Sequence, residues 1–102
     1  MIFVHIASYC DPELLPTIED CFDKADRPND LRFGLCWQHT EDDTCLEPFW
    51  NHHQFRIDRV RAEDSRGCCW ARARSQALYR GEDYVLQLDG HHRFEQGWDT
   101  TL

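Results

Sequence analysis

The chain has 102 residues, with 19 Asp and Glu against 11 Lys and Arg for a net charge of −8, and is 41% hydrophobic and 29% charged. These are the values of an ordinary globular chain long enough for one modest core, and they exclude disorder and collagen-like repeats. The longest apolar run, residues 2–7, is broken by His5 and has no basic segment before it, so the sequence predicts no export signal, no membrane helix and a cytoplasmic protein.

Residues 2–8 are β-branched and apolar and predict a buried strand. Asp11 and Pro12 then supply the chemistry of a helix N-cap and first helical position. Leu14, Ile18, Cys21, Phe22 and Ala25 recur at helical spacing, with Pro16 expected to delay or kink the start. Residues 32–38 predict a second strand, residues 40–54 an acidic loop anchored by Phe49 and Trp50, and residues 55–60 a shorter third strand. Ser65 is placed to cap a second helix over residues 67–80, with Trp70, Ala73, Ala77 and Leu78 on its apolar face and Gly81 just past its end. Residues 83–88 predict a fourth strand, whose nearly continuous apolar run is the pattern of an interior parallel strand covered on both faces. The order β-α-β-β-α-β predicts a single α/β domain over residues 1–102, with ligands expected beyond the carboxyl ends of its strands.

The six cysteines include no Cys-x-x-Cys pair and make up less than the ~8–10% of a secreted disulfide scaffold, so reduced thiols are expected. Four lie on core-like stretches, and packing is the expected role of the vicinal pair Cys68 and Cys69. His52-His53 and His91-His92 match no structural zinc spacing. Charge is uneven: residues 1–55 carry 3 basic and 11 acidic side chains, residues 56–80 carry 7 and 3, and residues 81–102 carry 1 and 5. Overall acidity argues against nonspecific binding to nucleic acid or anionic membranes. The arginine-rich stretch reads either as a site for a small anion, held with a metal, or as a solvated face.

The sharpest chemical feature is Leu88-Asp89-Gly90-His91, where a strand ends in a carboxylate and an imidazole two residues apart, pointing the same way if the backbone stays extended. Such a pair suits a divalent cation, the imidazole favouring manganese over magnesium, and Gly90 lets the backbone approach a ligand closely.

Gly67, Ala71-Arg72-Ala73 and the run from Gly81 to Asp89 resemble the helix, strand and metal motif of nucleotide-sugar glycosyltransferases of the GT-A fold. Ile6-Ala7-Ser8-Tyr9-Cys10-Asp11-Pro12, Phe33-Gly34-Leu35-Cys36-Trp37-Gln38-His39, Pro48-Phe49-Trp50 and Asp89-Gly90-His91 with Arg93-Phe94 extend the likeness across essentially the whole chain. Together they resemble the N-terminal half of the GlcNAc-transferase family that includes the polypeptide hydroxyproline GlcNAc-transferases.

The resemblance implies an α/β, Rossmann-like nucleotide-diphospho-sugar transferase domain with a mostly parallel sheet, this chain being its donor-binding half. It implies metal-dependent transfer of N-acetylglucosamine from UDP-GlcNAc to a hydroxyl of a protein or glycan acceptor. Carried over by residue, Ala7, Ser8 and Tyr9 line the nucleoside pocket, Arg72 meets the nucleotide with Arg66 as a weaker candidate, and Asp89 and His91 match the metal site, Asp89 also facing the donor. Three positions depart from the family pattern: Cys10 stands where arginine is expected, Gly90 where serine is common, and His92 where another residue type is usual. No residue is identified as a general base. Two further readings stay open: a nucleotide-sugar-binding remnant without catalysis, and a thiol-rich metal or interaction module.

Overall fold

The computed structural model describes residues 1–42, 44, 46–49, 51–89 and 93–100, apart from the side chains of Glu47 and Asp89. Four strands, β1 (Ile2–Tyr9), β2 (Leu31–His39), β3 (Phe55–Arg61) and β4 (Tyr84–Asp89), form one sheet in the order β3-β2-β1-β4, every pair parallel. Helix α1 (Leu14–Lys24) links β1 to β2 and helix α2 (Cys68–Gln76) links β3 to β4. The expected α/β class and element order are therefore present. Parallel neighbours need long crossovers. Between β2 and β3 that role falls to residues 40–54, whose described residues hold a 3-10 turn (Glu47–Phe49) and a fully buried anchor, Leu46. Phe49, the expected anchor, is half-buried and stacks on Phe55 at 4.6 Å, while Trp50 lies outside the described residues.

Alternation along the strands sends side chains to two unequal cores. Val4, Ile6, Phe33, Leu35, Trp37 and Phe55 meet Leu14, Ile18 and Cys21 of α1 in the larger one. Residues 93–100 strap the outer side of α1: the Trp98 indole donates to the Cys21 carbonyl at 3.0 Å, and the Asp99 carboxylate accepts the Asp26 and Arg27 amides at 2.7 and 2.8 Å. On the opposite face the core is small, built from Cys36, Val60 and Ala71 with Ala7 and Trp70.

Several local expectations are corrected. Helix α1 begins at Leu14, not at Pro12, because the Asp11 carboxylate accepts the Glu13 amide at 2.9 Å in a turn before the helix. Pro16 then falls in the first turn, where a missing N–H costs nothing. Helix α2 ends at Gln76 and buries Ala71 and Ser75; Ala73 and Ala77 are exposed, and Trp70 and Leu78 are half-buried. Small residues win that face because the helix backbone comes close to the sheet, the Ser75 carbonyl lying 3.1 Å from where a Cβ on Gly34 would sit. Strand β4 is an edge, not an interior strand: Tyr84 and Val85 are 57% and 51% exposed. Its apolar residues are covered on one side only, with Leu86 and Leu88 against the larger core.

Candidate functional site

Parallel strands all deliver their carboxyl ends to one rim, and helix α2 starts at that rim. Between them lies a cleft of about 560 Å³, lined by Ala7 and Tyr9 from β1, Gln38 from β2, Ala62, Glu63 and Ser65 from the segment after β3, and Gly67, Cys68 and Ala71 at the start of α2. Ala7 and Ala71 are small enough to leave the space open. Tyr9 is 60% exposed.

Two polar residues brace the rim. Gln38 is buried; its amide nitrogen donates to the Ser8 carbonyl at 3.0 Å, and its amide oxygen accepts the hydroxyl of Ser65. The Gln38 carbonyl in turn accepts the Cys10 amide at 2.8 Å. One side chain thus fixes the ends of β1 and β2 and the loop into α2. Sequence reasoning did not single out Gln38 as a site residue; its signals are an amide near the end of a largely apolar strand and its place in the Phe33–His39 motif.

Ser65 does not cap α2. The N-cap is Gly67 at φ 98°, a left-handed conformation that favours glycine, and it has no side-chain cap. The Ser65 hydroxyl instead serves Gln38 and accepts the Gly67 amide at 3.4 Å. The first-turn amides of α2 therefore face the rim without intrahelical acceptors, the ordinary state of a helix start and one that suits an anion.

Of the residues expected around the nucleoside, Ala7 and Tyr9 line the cleft. Ser8 alternates to the other face, where its hydroxyl is buried without a hydrogen-bond partner, so it reaches the rim through its carbonyl. Arg66 is exposed in an adjoining cleft of about 820 Å³ with Arg59, Arg61, Trp70 and Arg74. Arg72 is half-buried on α2 and is not among the residues that line either cleft; burial of the His5 ring and, to a lesser extent, the Arg72 charge hold the His5 imidazole below its ordinary range. The His5 ring bonds the Ser75 hydroxyl at 2.9 Å, which itself donates to the Arg72 carbonyl at 3.0 Å.

The backbone of Asp89 ends β4 in register with Ala7, so the expected metal motif begins beside the cleft. The Asp89 side chain, Gly90, His91 and His92 lie outside the described residues. Among the described residues no three His, Cys, Asp or Glu side chains converge as metal ligands. Of the described cysteines, Cys21 and Cys36 are buried, while Cys10, Cys68 and Cys69 are exposed, so packing does not explain the vicinal pair. Burial pushes the Cys36 thiol up to about 11 and Cys21 higher still.

Most of the arginines have structural partners. Arg56 donates to Glu82 at 2.7 Å and lies 5.7 Å from the Phe3 ring centre; Arg74 holds Asp58 through two bonds of 2.6 and 2.9 Å and stacks on Trp70. Arg59 donates to His39 at 2.9 Å while the other ring nitrogen meets the Thr40 carbonyl at 2.8 Å, which fixes His39 as the Nδ1–H tautomer.

An all-parallel sheet with helices on both faces and a cleft where the strand ends meet a helix start defines the Rossmann-like α/β class. Within it the chain belongs to the GlcNAc glycosyltransferase family: the family model described as Glycosyltransferase (GlcNAc) matches residues 1–52 and 46–102. No curated protein and no solved structure matches the chain significantly. Membership makes it a transferase working between a sugar donor and an acceptor. Among the described residues no helix is long and apolar enough to cross a membrane.

Proposed function

We propose that the chain binds UDP-GlcNAc in the cleft between Ala7, Tyr9 and Ala71 and presents its sugar for transfer to a hydroxyl of a protein or glycan acceptor. The observation that carries this reading is the cleft itself: a space of about 560 Å³ bounded by an exposed aromatic ring, two alanines, an amide, a hydroxyl and a helix start. A uracil ring has Tyr9 to stack on and the Gln38 and Ser65 rim for polar contacts. The diphosphate has the uncapped α2 start, whose amides favour negative charge. Arg66 and Arg72 add positive charge in a protein that is otherwise acidic.

Asp89 and His91 are the residues that would hold a divalent metal, manganese or magnesium, with the donor phosphates completing its shell. The register of Asp89 with Ala7, a cleft-lining residue, fits that assignment. When bound, the metal would neutralise the diphosphate and stabilise the charge that develops on departing UDP. The chain's own part is to bind the nucleoside, orient the diphosphate along α2 and keep the rim fixed through Gln38. A cytoplasmic location belongs to the same proposal.

Calorimetric titration of the chain with UDP-GlcNAc, with and without manganese, tests it. Arg72→Ala is expected to lose roughly ten- to hundredfold in affinity, the equivalent of ~1.5–3 kcal/mol for a charged hydrogen bond. Arg72→Lys should recover part of this, keeping the charge without the planar fork. Arg74→Ala is the control, because Arg74 already serves Asp58. Equal affinities in the two alanine variants, or no donor binding at all, would overturn the assignment. Turnover with acceptor present separates a transferase from a binding remnant.

A further inference from the structure

Cysteine is among the residue types most often buried, and Cys21 and Cys36 follow that rule here. Cys68 and Cys69 do not: they are the first two residues of α2 and both are exposed. Cys68 also lines the cleft, beside Ala7, Tyr9 and Ala71. Two exposed thiols on adjacent residues, one of them in a cleft wall, are a vicinal dithiol whose chemistry depends on what can bridge them.

A direct disulfide is a poor bridge. Consecutive Cα atoms are about 3.8 Å apart, shorter than the ~4.4–6.8 Å that ordinary disulfides span. Zinc takes four ligands, and among the described residues no third His, Cys, Asp or Glu converges with the pair. A bridge that inserts one soft atom between the sulfurs, and needs only two protein ligands, meets both limits. Trivalent arsenic bearing one organic group has this valence.

We propose that Cys68 and Cys69 form a vicinal dithiol site for trivalent organic arsenicals, and that occupation of the site closes the cleft. In the reaction each thiol gives up its proton, the arsenic–oxygen bond of an arsenoxide breaks, two arsenic–sulfur bonds form and the oxygen leaves as water. Arsenic stays trivalent, so no oxidant or reductant is required. The organic group then stands at the cleft wall formed by Cys68. The dithiol site is independent of the donor assignment; only the closure of the cleft to UDP-GlcNAc rests on it.

Phenylarsine oxide added to the full chain and read by intact mass should give an adduct that has lost water and is reversed by 2,3-dimercaptopropanol. C68S and C69S should each abolish it, and C10S should retain it. Calorimetry should find UDP-GlcNAc binding lost in the treated chain and unchanged in C69S given the same treatment. Survival of the adduct in C68S or C69S would overturn the site. An adduct that leaves donor affinity unchanged would overturn the closure. An adduct at the pair in a chain that binds no donor even untreated would uphold the dithiol site and overturn the donor assignment.

Discussion

Gly34→Ala sets two effects of opposite sign against each other. Gly34 sits in the middle of β2, opposite His5 of β1, in ordinary extended backbone. There, replacing glycine with alanine should by itself stabilise the fold by ~0.4–1 kcal/mol, because the unfolded chain loses freedom. Space decides otherwise. A Cβ at this position would lie 2.3 and 2.6 Å from two ring atoms of Phe3 and 3.1 Å from the Ser75 carbonyl of α2. The Phe3 ring is fully buried, stacked on His5 at 5.8 Å and edge-on to Tyr79 at 5.7 Å, so it has no vacant direction to turn. Overpacking of this kind costs ~1–3 kcal/mol, and a contact of 2.3 Å puts the variant in the upper part of that range. Less the backbone gain, a net loss of about 1–2.5 kcal/mol remains, and at ~4–8 °C per kcal/mol in a domain of this size a fall in Tm of about 4–20 °C is expected. Lifting α2 would also move Ala71 and Cys68, so donor affinity should fall with stability. Urea unfolding and thermal circular dichroism of Gly34→Ala, Phe3→Leu and the double variant provide the assay. Phe3→Leu removes the clashing ring atoms, so the double variant should be more stable than the sum of the two losses predicts, by about 1 kcal/mol. Strict additivity would refute the clash with the Phe3 ring, and a neutral or stabilised Gly34→Ala would refute the close packing on Gly34 as a whole, α2 included.

Two further outcomes follow from titrating groups. The His5 imidazole is held below its ordinary value of 6.5 by burial and by Arg72, so its contribution to stability is present above 6.5 and is lost as pH falls toward the depressed folded value. Unfolding free energies at pH 7.5 and 5.5 should therefore differ less in His5→Phe than in the native chain; an identical pH slope in both would sink the assignment. Burial raises the Asp99 carboxyl, but the Asp26 and Arg27 amides outweigh it and hold the group below the usual 3.8. Asp99→Ala should cost ~1–2 kcal/mol at neutral pH, measured by urea unfolding, with a smaller deficit once acid has protonated Asp99 in the native chain as well.

Much of this fold is legible from periodicity. Strand β1, helix α1 and strands β2 and β3 fall within a residue or two of where the apolar spacing puts them, because each buries a face wide enough to imprint its period on the sequence. The face of α2 was misread because the large residue Trp70 suggested a core stripe, whereas close packing on Gly34 selects Ala71 and Ser75. The edge position of β4 was illegible for a different reason. An apolar run records what a strand could bury, and how many neighbours it has is a property of the whole sheet. At the candidate site, Ala7 and Tyr9 could be read through resemblance. Gln38 and Ser65 could not, since their roles come from a hydrogen bond across 27 positions.

Charge counting was the least informative guide, and the reason lies in geometry. The seven arginines between residues 56 and 80 suggest a cationic face. Yet Arg56, Arg59 and Arg74 are spent on Glu82, His39 and Asp58, and Arg61 lies 3.6 Å from Glu63. Arg56, Arg61 and Arg74 face carboxylates that offset their charge where they stand, whereas the His39 ring accepts from Arg59 without carrying a negative charge. The cleft at the strand ends is bounded instead by the start of α2, and of the remaining arginines Arg66 lines the adjoining cleft. In a chain whose net charge is −8, a count of arginines therefore says little about an anion site until the partner of each guanidinium is known.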